Sequence, residues 1–212
     1  MRAIAALLIG LTLAAGLAAC NKSGGGATGA AGAYPGEMSL GNPAAKVTVV
    51  EYASLGCPIC AHWNNTVFQD FNAKYIVTNK VRYTFREFLT GDAPVATAGF
   101  LLAHCVGQDK YFQIIDEVFR QEEPLLESDR GPEKRDALVK VAESAGLTEA
   151  QFDTCVSNDA AITALNDRAQ KYATDDHIES TPTFVINGKV YTGFQSLDDL
   201  DKAIAEAQAG GK

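Results

Sequence analysis

Two cysteines separated by two residues, Cys57-Pro58-Ile59-Cys60, are the side chains of this sequence best spaced to do chemistry. Such a pair is a redox dithiol, half of a zinc site, or two inert cysteines. Zinc takes four ligands, yet there is no second C-x-x-C and no H-x-x-x-H. His62, two residues past Cys60, points away from both sulfurs at about 100° per helical residue. Haem attachment needs a histidine directly after Cys60, where Ala61 stands. The redox reading has a physical basis. Proline directly after Cys57 suits a first helical position, which makes Cys57 the cap and Cys60 the third helical residue. A thiol at a helix start faces free N–H groups and the positive end of the macrodipole, which favours the thiolate. Cys60, one turn on, lies close enough for a disulfide and is shielded from substrate. Cys57 is therefore expected to exchange with substrate, and Cys60 to resolve or re-form the bond.

Other positions have more than one reading. Glu51, six residues before Cys57, is either a tolerated edge glutamate or a buried carboxyl of raised pKa that passes protons to and from Cys60. Thr181-Pro182 opens a strand where a ladder donor is normally needed, so Pro182 is an edge residue or a cis-proline turn. A cis bond would free the Thr181 backbone to pair with an extended peptide. Cys105 and Cys155 are two buried thiols or a structural disulfide. Closing a loop of that size stabilises by about 4 kcal/mol on the chain-entropy model. His104 and His177 read as structural or solvent-facing.

These residues need elements to position them. Val47 to Tyr52 is β-branched and nearly continuous, as in a strand covered on both faces. After a turn at Ser54-Leu55-Gly56, Trp63, Val67, Phe71 and Tyr75 recur every four residues along a helix reaching about Val77. Val81 to Phe88 alternates as a second strand. From Ala93 to Ala173 only helix signals occur. Apolar stripes appear at Tyr111, Ile114, Ile115 and Val118, at Leu138, Val141, Ala142 and Ala145, and at Ile162, Leu165, Ala169 and Tyr172, with a capping box at Thr148–Gln151. Asn187-Gly188 between Thr183–Ile186 and Lys189–Thr192 marks a hairpin, and Leu197 to Ala209 is a last helix. The expected order is β-α-β, an all-helical insertion, then β-β-α.

The chain has 212 residues, 26 acidic against 18 basic, and five cysteines. One domain with an insertion fits that length. A net charge of −8 without any basic block excludes nucleic acid as a partner. Arg2 precedes an uncharged run, Ala3 to Ala19, that ends at Leu17-Ala18-Ala19-Cys20. This ending resembles the lipobox of bacterial lipoprotein signals, so residues 1–19 read as a signal peptide and Cys20 as the acylated anchor. The alternative is a soluble protein secreted after ordinary cleavage. Both place the chain outside the cytoplasm, where disulfides persist. Asn21 to Gly36, with six glycines and four alanines, reads as a flexible tether.

Glu51, Cys57-Pro58-Ile59-Cys60, Thr181-Pro182-Thr183-Phe184 and Asn187-Gly188, arranged around a helical insertion, resemble the DsbA-type thiol:disulfide oxidoreductases of the thioredoxin superfamily. The resemblance spans about Glu37 to Ala209. It implies an α/β thioredoxin fold of two segments, 37–92 and 176–212, holding an insertion at 93–175. It also implies a reactive Cys57, a buried Cys60 and a cis-Pro182 beside them, with Pro58, Ile59 and Thr181 against the substrate and no cofactor beyond the redox disulfide. Unfolded or reduced secreted proteins are the implied substrates, and a quinone-linked membrane oxidase of the DsbB type the implied partner. Some relatives carry a second disulfide, which favours a Cys105–Cys155 bridge. The strongest oxidants have histidine where Ile59 stands, so Cys57 is expected to be less acidic here and the disulfide less oxidising. The isomerases depend on an N-terminal dimerisation domain, for which the tether leaves no room; this favours a monomeric oxidase over a reductase or isomerase. A rival of another class is a thioredoxin-like lipoprotein binding copper through Cys57 and Cys60.

Overall fold

The computed structural model describes residues 36–121 and 123–210. The leader, Cys20 and the tether up to residue 35 lie outside the described residues. Five strands form one mixed sheet in the order β1-β3-β2-β4-β5. They are β1 (Met38–Gly41), β2 (Val47–Ala53), β3 (Val81–Glu87), β4 (Thr183–Ile186) and β5 (Lys189–Thr192). β2 is central, parallel to β3 and antiparallel to β4, so its residues 47–53 are buried apart from a half-exposed Thr48. The β4–β5 hairpin turns on Asn187 and Gly188, both at positive φ, 46° and 87°. The Asn187 side chain also accepts from the Thr48 N–H at 2.8 Å and donates to the Lys46 carbonyl at 3.1 Å, which pins the hairpin to the start of β2.

One strand departs from expectation. β1 pairs antiparallel with β3, Met38 opposite Phe85, whereas the sequence reading begins the sheet at Val47. Met-Ser-Leu-Gly is too short to show a period-two pattern and follows a glycine-rich stretch.

Between β2 and β3 runs one continuous helical stretch, 58–76, in which α1 (Pro58–Trp63) and α2 (Gln69–Phe71) alternate with π segments Asn64–Phe68 and Asn72–Ile76. Trp63, Val67, Phe71 and Tyr75 are buried as their spacing predicts. Trp63 packs on Phe184 of β4, ring centroids 4.8 Å apart, and its indole N–H donates to the Gln195 carbonyl at 2.9 Å.

Among the described residues five α-helices separate β3 from β4: α3 (Ala93–Cys105), α4 (Gln108–Arg120), α5 (Gly131–Ser144), α6 (Glu149–Val156) and α7 (Asp159–Asp175). α3 is apolar on most sides and lies at their centre, with Phe100, Leu102 and Ala103 fully buried. A disulfide, Cys105–Cys155, joins α3 to α6 with Cα atoms 5.9 Å apart. α8 (Leu197–Gly210) places Leu200, Ala203 and Ile204 in the core.

Two buried ionic clusters tie the helices to the sheet. Arg86, wholly buried, donates to Glu37 at 2.6 Å and to Asp176 and the Tyr52 hydroxyl, each at 2.7 Å. Glu87 accepts from Arg168 of α7 at 2.8 Å and from the Tyr111 hydroxyl at 2.9 Å, with His104 at 2.5 Å. Burial pushes the Glu87 carboxyl up, but the contacts with His104 and Arg168 outweigh it and hold the group below its usual range. His104 is thus structural, and His177 is exposed, at a positive φ of 54°.

Candidate active site

Cys57 leaves β2 in an extended conformation, φ −106° and ψ 114°, and caps α1, with Pro58 in the first helical turn. Its N–H donates to the Ser54 carbonyl at 3.1 Å, and its carbonyl accepts the Ala61 N–H at 3.0 Å. Cys57 and Cys60 are both free thiols. Cys60 is wholly buried, Cys57 retains 8% of its surface, and Ile59 between them is 53% exposed. The two thiols are driven apart. Cys57 is lowered to about 6, chiefly by hydrogen bonding from the Cys60 thiol against the cost of burial, with further help from Thr181 and the N–H groups of Cys60 and Ile59. Cys60 is pushed far above its ordinary value by burial and then by the hydrogen bond to, and charge on, Cys57.

Glu51 lies on β2, opposite Phe85 of β3 and Phe184 of β4. A central strand rules out the edge reading, and the residue is 1% exposed. Burial raises its carboxyl to about 8; the hydrogen bond from Tyr83 opposes this, and the charge on Cys57 adds to it. The Tyr83 hydroxyl donates to Glu51 Oε2 at 2.5 Å from a ring packed against Phe68, Phe71 and Phe112. Glu51 therefore carries its proton at neutral pH. Sequence reasoning missed Tyr83, whose only signal was its inward phase in β3.

The Thr181–Pro182 peptide is cis. The Thr181 carbonyl lies 3.6 Å from Cys57 Sγ, which donates to it. Pro182 is buried and Thr181 half-buried. The Thr181 and Thr90 hydroxyls are 2.7 Å apart. Ser54 Oγ donates to the Thr90 carbonyl at 2.8 Å and accepts the Gly56 N–H at 3.1 Å, while the Asp92 N–H donates to the Gly56 carbonyl at 2.9 Å. That approach requires glycine on both sides. A Cβ on Gly56 would strike the Asp92 carbonyl, and one on Gly91, at φ +70°, would strike the Gly56 carbonyl. Asp92 then caps α3 through Val95 and pairs with Lys134 of α5. Beside the thiols, Pro58, Ile59, His62 and the 40%-exposed Phe194 line a shallow, mainly apolar concavity, with His62 and Phe194 stacked at 5.5 Å. A cleft of about 860 Å³ between the segment after α4 and α5 borders none of these residues. Among the described residues no three His, Cys, Asp or Glu side chains converge as a metal site would need.

Comparison with known proteins bears on the family and the fold. The family model described as Thioredoxin matches residues 33–206. The chain belongs to the thioredoxin family. Within that family it is 32% identical over 172 residues to a Rickettsia conorii protein named as a protein-disulfide oxidoreductase, covering 81% of this chain and 60% of that one. The thioredoxin-family chain thus spans about 60% of the length of the Rickettsia relative. It is 27% identical over 177 residues to a Bacillus anthracis protein named as a disulfide bond formation protein D, covering 81% and 78% of the two chains. The crystal structure of Wolbachia pipientis alpha-DsbA1 superposes with a TM-score of 0.75 at 23% identity, over 84% of this chain and 94% of that one, a likeness of fold.

Proposed function

We propose that this thioredoxin-family chain is a DsbA-type thiol:disulfide oxidoreductase that introduces disulfides into reduced secreted proteins. The observation that carries the reading is the division between the two thiols: Cys57, which keeps 8% of its surface at the head of α1, is lowered to about 6, and Cys60, wholly buried, is raised. In the reaction a substrate thiolate attacks Cys57 Sγ of the Cys57–Cys60 disulfide, and Cys60 leaves as the thiolate. The buried, protonated Glu51 is the acid that returns a proton to Cys60. A second substrate thiolate then attacks the substrate sulfur of the mixed disulfide and expels Cys57 as its thiolate. The substrate gains one disulfide and the protein two electrons. Stabilising the departing Cys57 thiolate stabilises the reduced protein, which is what makes a disulfide oxidising. A substrate strand pairs with the Thr181 backbone, and Pro58 and Ile59 contact its side chains. A quinone-linked membrane oxidase of the DsbB type re-forms Cys57–Cys60. The protein works as a monomer on the periplasmic side of a bacterial membrane, held by acylated Cys20 in a sequence that resembles a lipobox. Among the described residues no helix is long and apolar enough to cross a membrane.

One observation keeps a reductant in view: about 6 for Cys57 lies between the thiols of thioredoxin, about 7, and of DsbA, about 3.5. The reduction potential of Cys57–Cys60 by glutathione equilibrium separates the roles. A value near the DsbA end, about −120 to −150 mV, marks a net oxidant; one near or below about −220 mV replaces the oxidase by a reductase. Stoichiometric binding of micromolar copper by the reduced protein would favour the metal-carrying reading instead.

A further inference from the structure

The exchange steps leave part of the site unused: Ser54, Thr90 and Thr181, whose hydrogen bonds link three loops behind Cys57. Ser54 is committed, since its one proton goes to the Thr90 carbonyl. Thr90 and Thr181 share a hydrogen bond of 2.7 Å in which either can donate, and each hydroxyl has a single proton. If Thr181 donates to Thr90, it has nothing left for the sulfur. If Thr90 donates to Thr181, the Thr181 proton is released to face Cys57. A protonated Cys57 makes no demand on that proton, because it donates to the Thr181 carbonyl itself. A thiolate does, and the Thr181 hydroxyl is one of the groups that favour it. The direction of the Thr90–Thr181 bond is thus coupled to the charge on Cys57.

Thr90 is also held where it can act. Its carbonyl is fixed by Ser54, the next backbone by the Asp92–Gly56 bond, and the strand before it by the Phe88 N–H donating to the Ala53 carbonyl at 2.8 Å. The titratable groups around the sulfur are Cys60 on α1 and Glu51 on β2, with His62 on the outer face of α1 stacked on Phe194 and Asp92 paired with Lys134 at the head of α3. Of these, Cys60 is the one that hydrogen-bonds Cys57.

We propose that Thr90 is a positioning residue of the exchange site: its hydroxyl donates to Thr181 Oγ1 and turns the Thr181 proton onto the Cys57 thiolate. The proposal rests on Cys57 being the exchanging thiol.

The test is titration of Cys57 in the reduced protein by thiolate ultraviolet absorbance, with the rate of iodoacetamide alkylation against pH as a second readout. Thr90→Val, nearly isosteric, should raise the midpoint and leave about threefold to tenfold less thiolate at pH 6, with the urea midpoint of unfolding nearly unchanged. Thr90→Ser should restore the wild-type profile. In a Thr181→Val background, Thr90→Val should add nothing, because the two hydroxyls act as one unit. Where Thr90→Val does not fold, Thr90→Ala carries the same expectation. A Thr90→Val profile that superimposes on a depressed wild-type one overturns this proposal alone, as does an equal shift in Thr90→Ser. A wild-type thiol titrating at its ordinary value overturns the Cys57 assignment and this proposal together.

Discussion

At the scale of single residues the site is a set of opposed proton affinities. Glu51 is raised from 4.5 to about 8 and Cys57 lowered from 9.0 to about 6. Their effects on stability have opposite signs. A carboxyl that keeps its proton in the folded state makes folding take up a proton, so stability is full below 4.5 and falls as pH rises towards 8. A thiol that loses its proton in the folded state makes folding release one, so stability rises from pH 6 towards 9. The reduced protein should therefore lose stability from pH 4.5 to 6, hold level from 6 to 8, and regain some above 8. In the oxidised protein Cys57 does not titrate and its charge no longer helps to raise Glu51, so the decline should continue past pH 6 at about 1.4 kcal/mol per pH unit and end below pH 8. Urea unfolding of both redox forms across this range checks the prediction, and Glu51→Gln should remove the decline in each. Much of this was legible in the sequence. C-P-x-C announces its helix-cap geometry, and Glu51 lies at a fixed distance along a strand that reads as covered on both faces. Tyr83 and Thr90 were not legible: a tyrosine in phase with a strand reads as core, and a threonine after one reads as loop. Their meaning comes from partners 32 and 91 residues away.

Among elements, the loops after β2 and β3 are as closely fitted as the core. Gly56 and Gly91 stand back to back, each leaving room for the other's neighbouring backbone. Gly91→Ala must fit a side chain at φ +70° and also push the Gly56 carbonyl away, so it should cost about 1 to 3 kcal/mol in urea unfolding. Because the Gly56 carbonyl precedes Cys57 directly, the same variant should slow alkylation of Cys57, whereas alanine at Gly107, where a Cβ meets nothing, should not. β2 to β5 and the long helices were readable because each repeats its period several times or, at Asn187-Gly188, carries a turn that few other sequences make. β1 repeats nothing; its existence depends on an unpaired edge of β3 being available to it. The alternation of π and α segments along 58–76 was equally hidden, since both present the same four-residue apolar spacing.

At the scale of the whole molecule, the Cys105–Cys155 bridge lies wholly among the inserted helices, joining α3 to α6, and closes a separation of 50 residues. Replacing both cysteines by alanine should cost about 2 to 5 kcal/mol of stability in urea while leaving the Cys57–Cys60 potential unchanged. A shift in that potential would show that the bridge reaches the site. The insertion's five helices leave the sheet through residues 88–92 and return through 176–182, and these two strands of chain are themselves rims of the site, carrying Thr90 and Thr181. The insertion is also fastened directly to the helical stretch that carries the thiols, where Asn64 donates to Asp116 of α4 and Asn65 to the Phe119 carbonyl, each at 3.0 Å, beside the braces Arg86–Asp176 and Glu87–Arg168. The inserted helices and the thiol-bearing helix are thus joined along a shared face as well as through the two connecting segments.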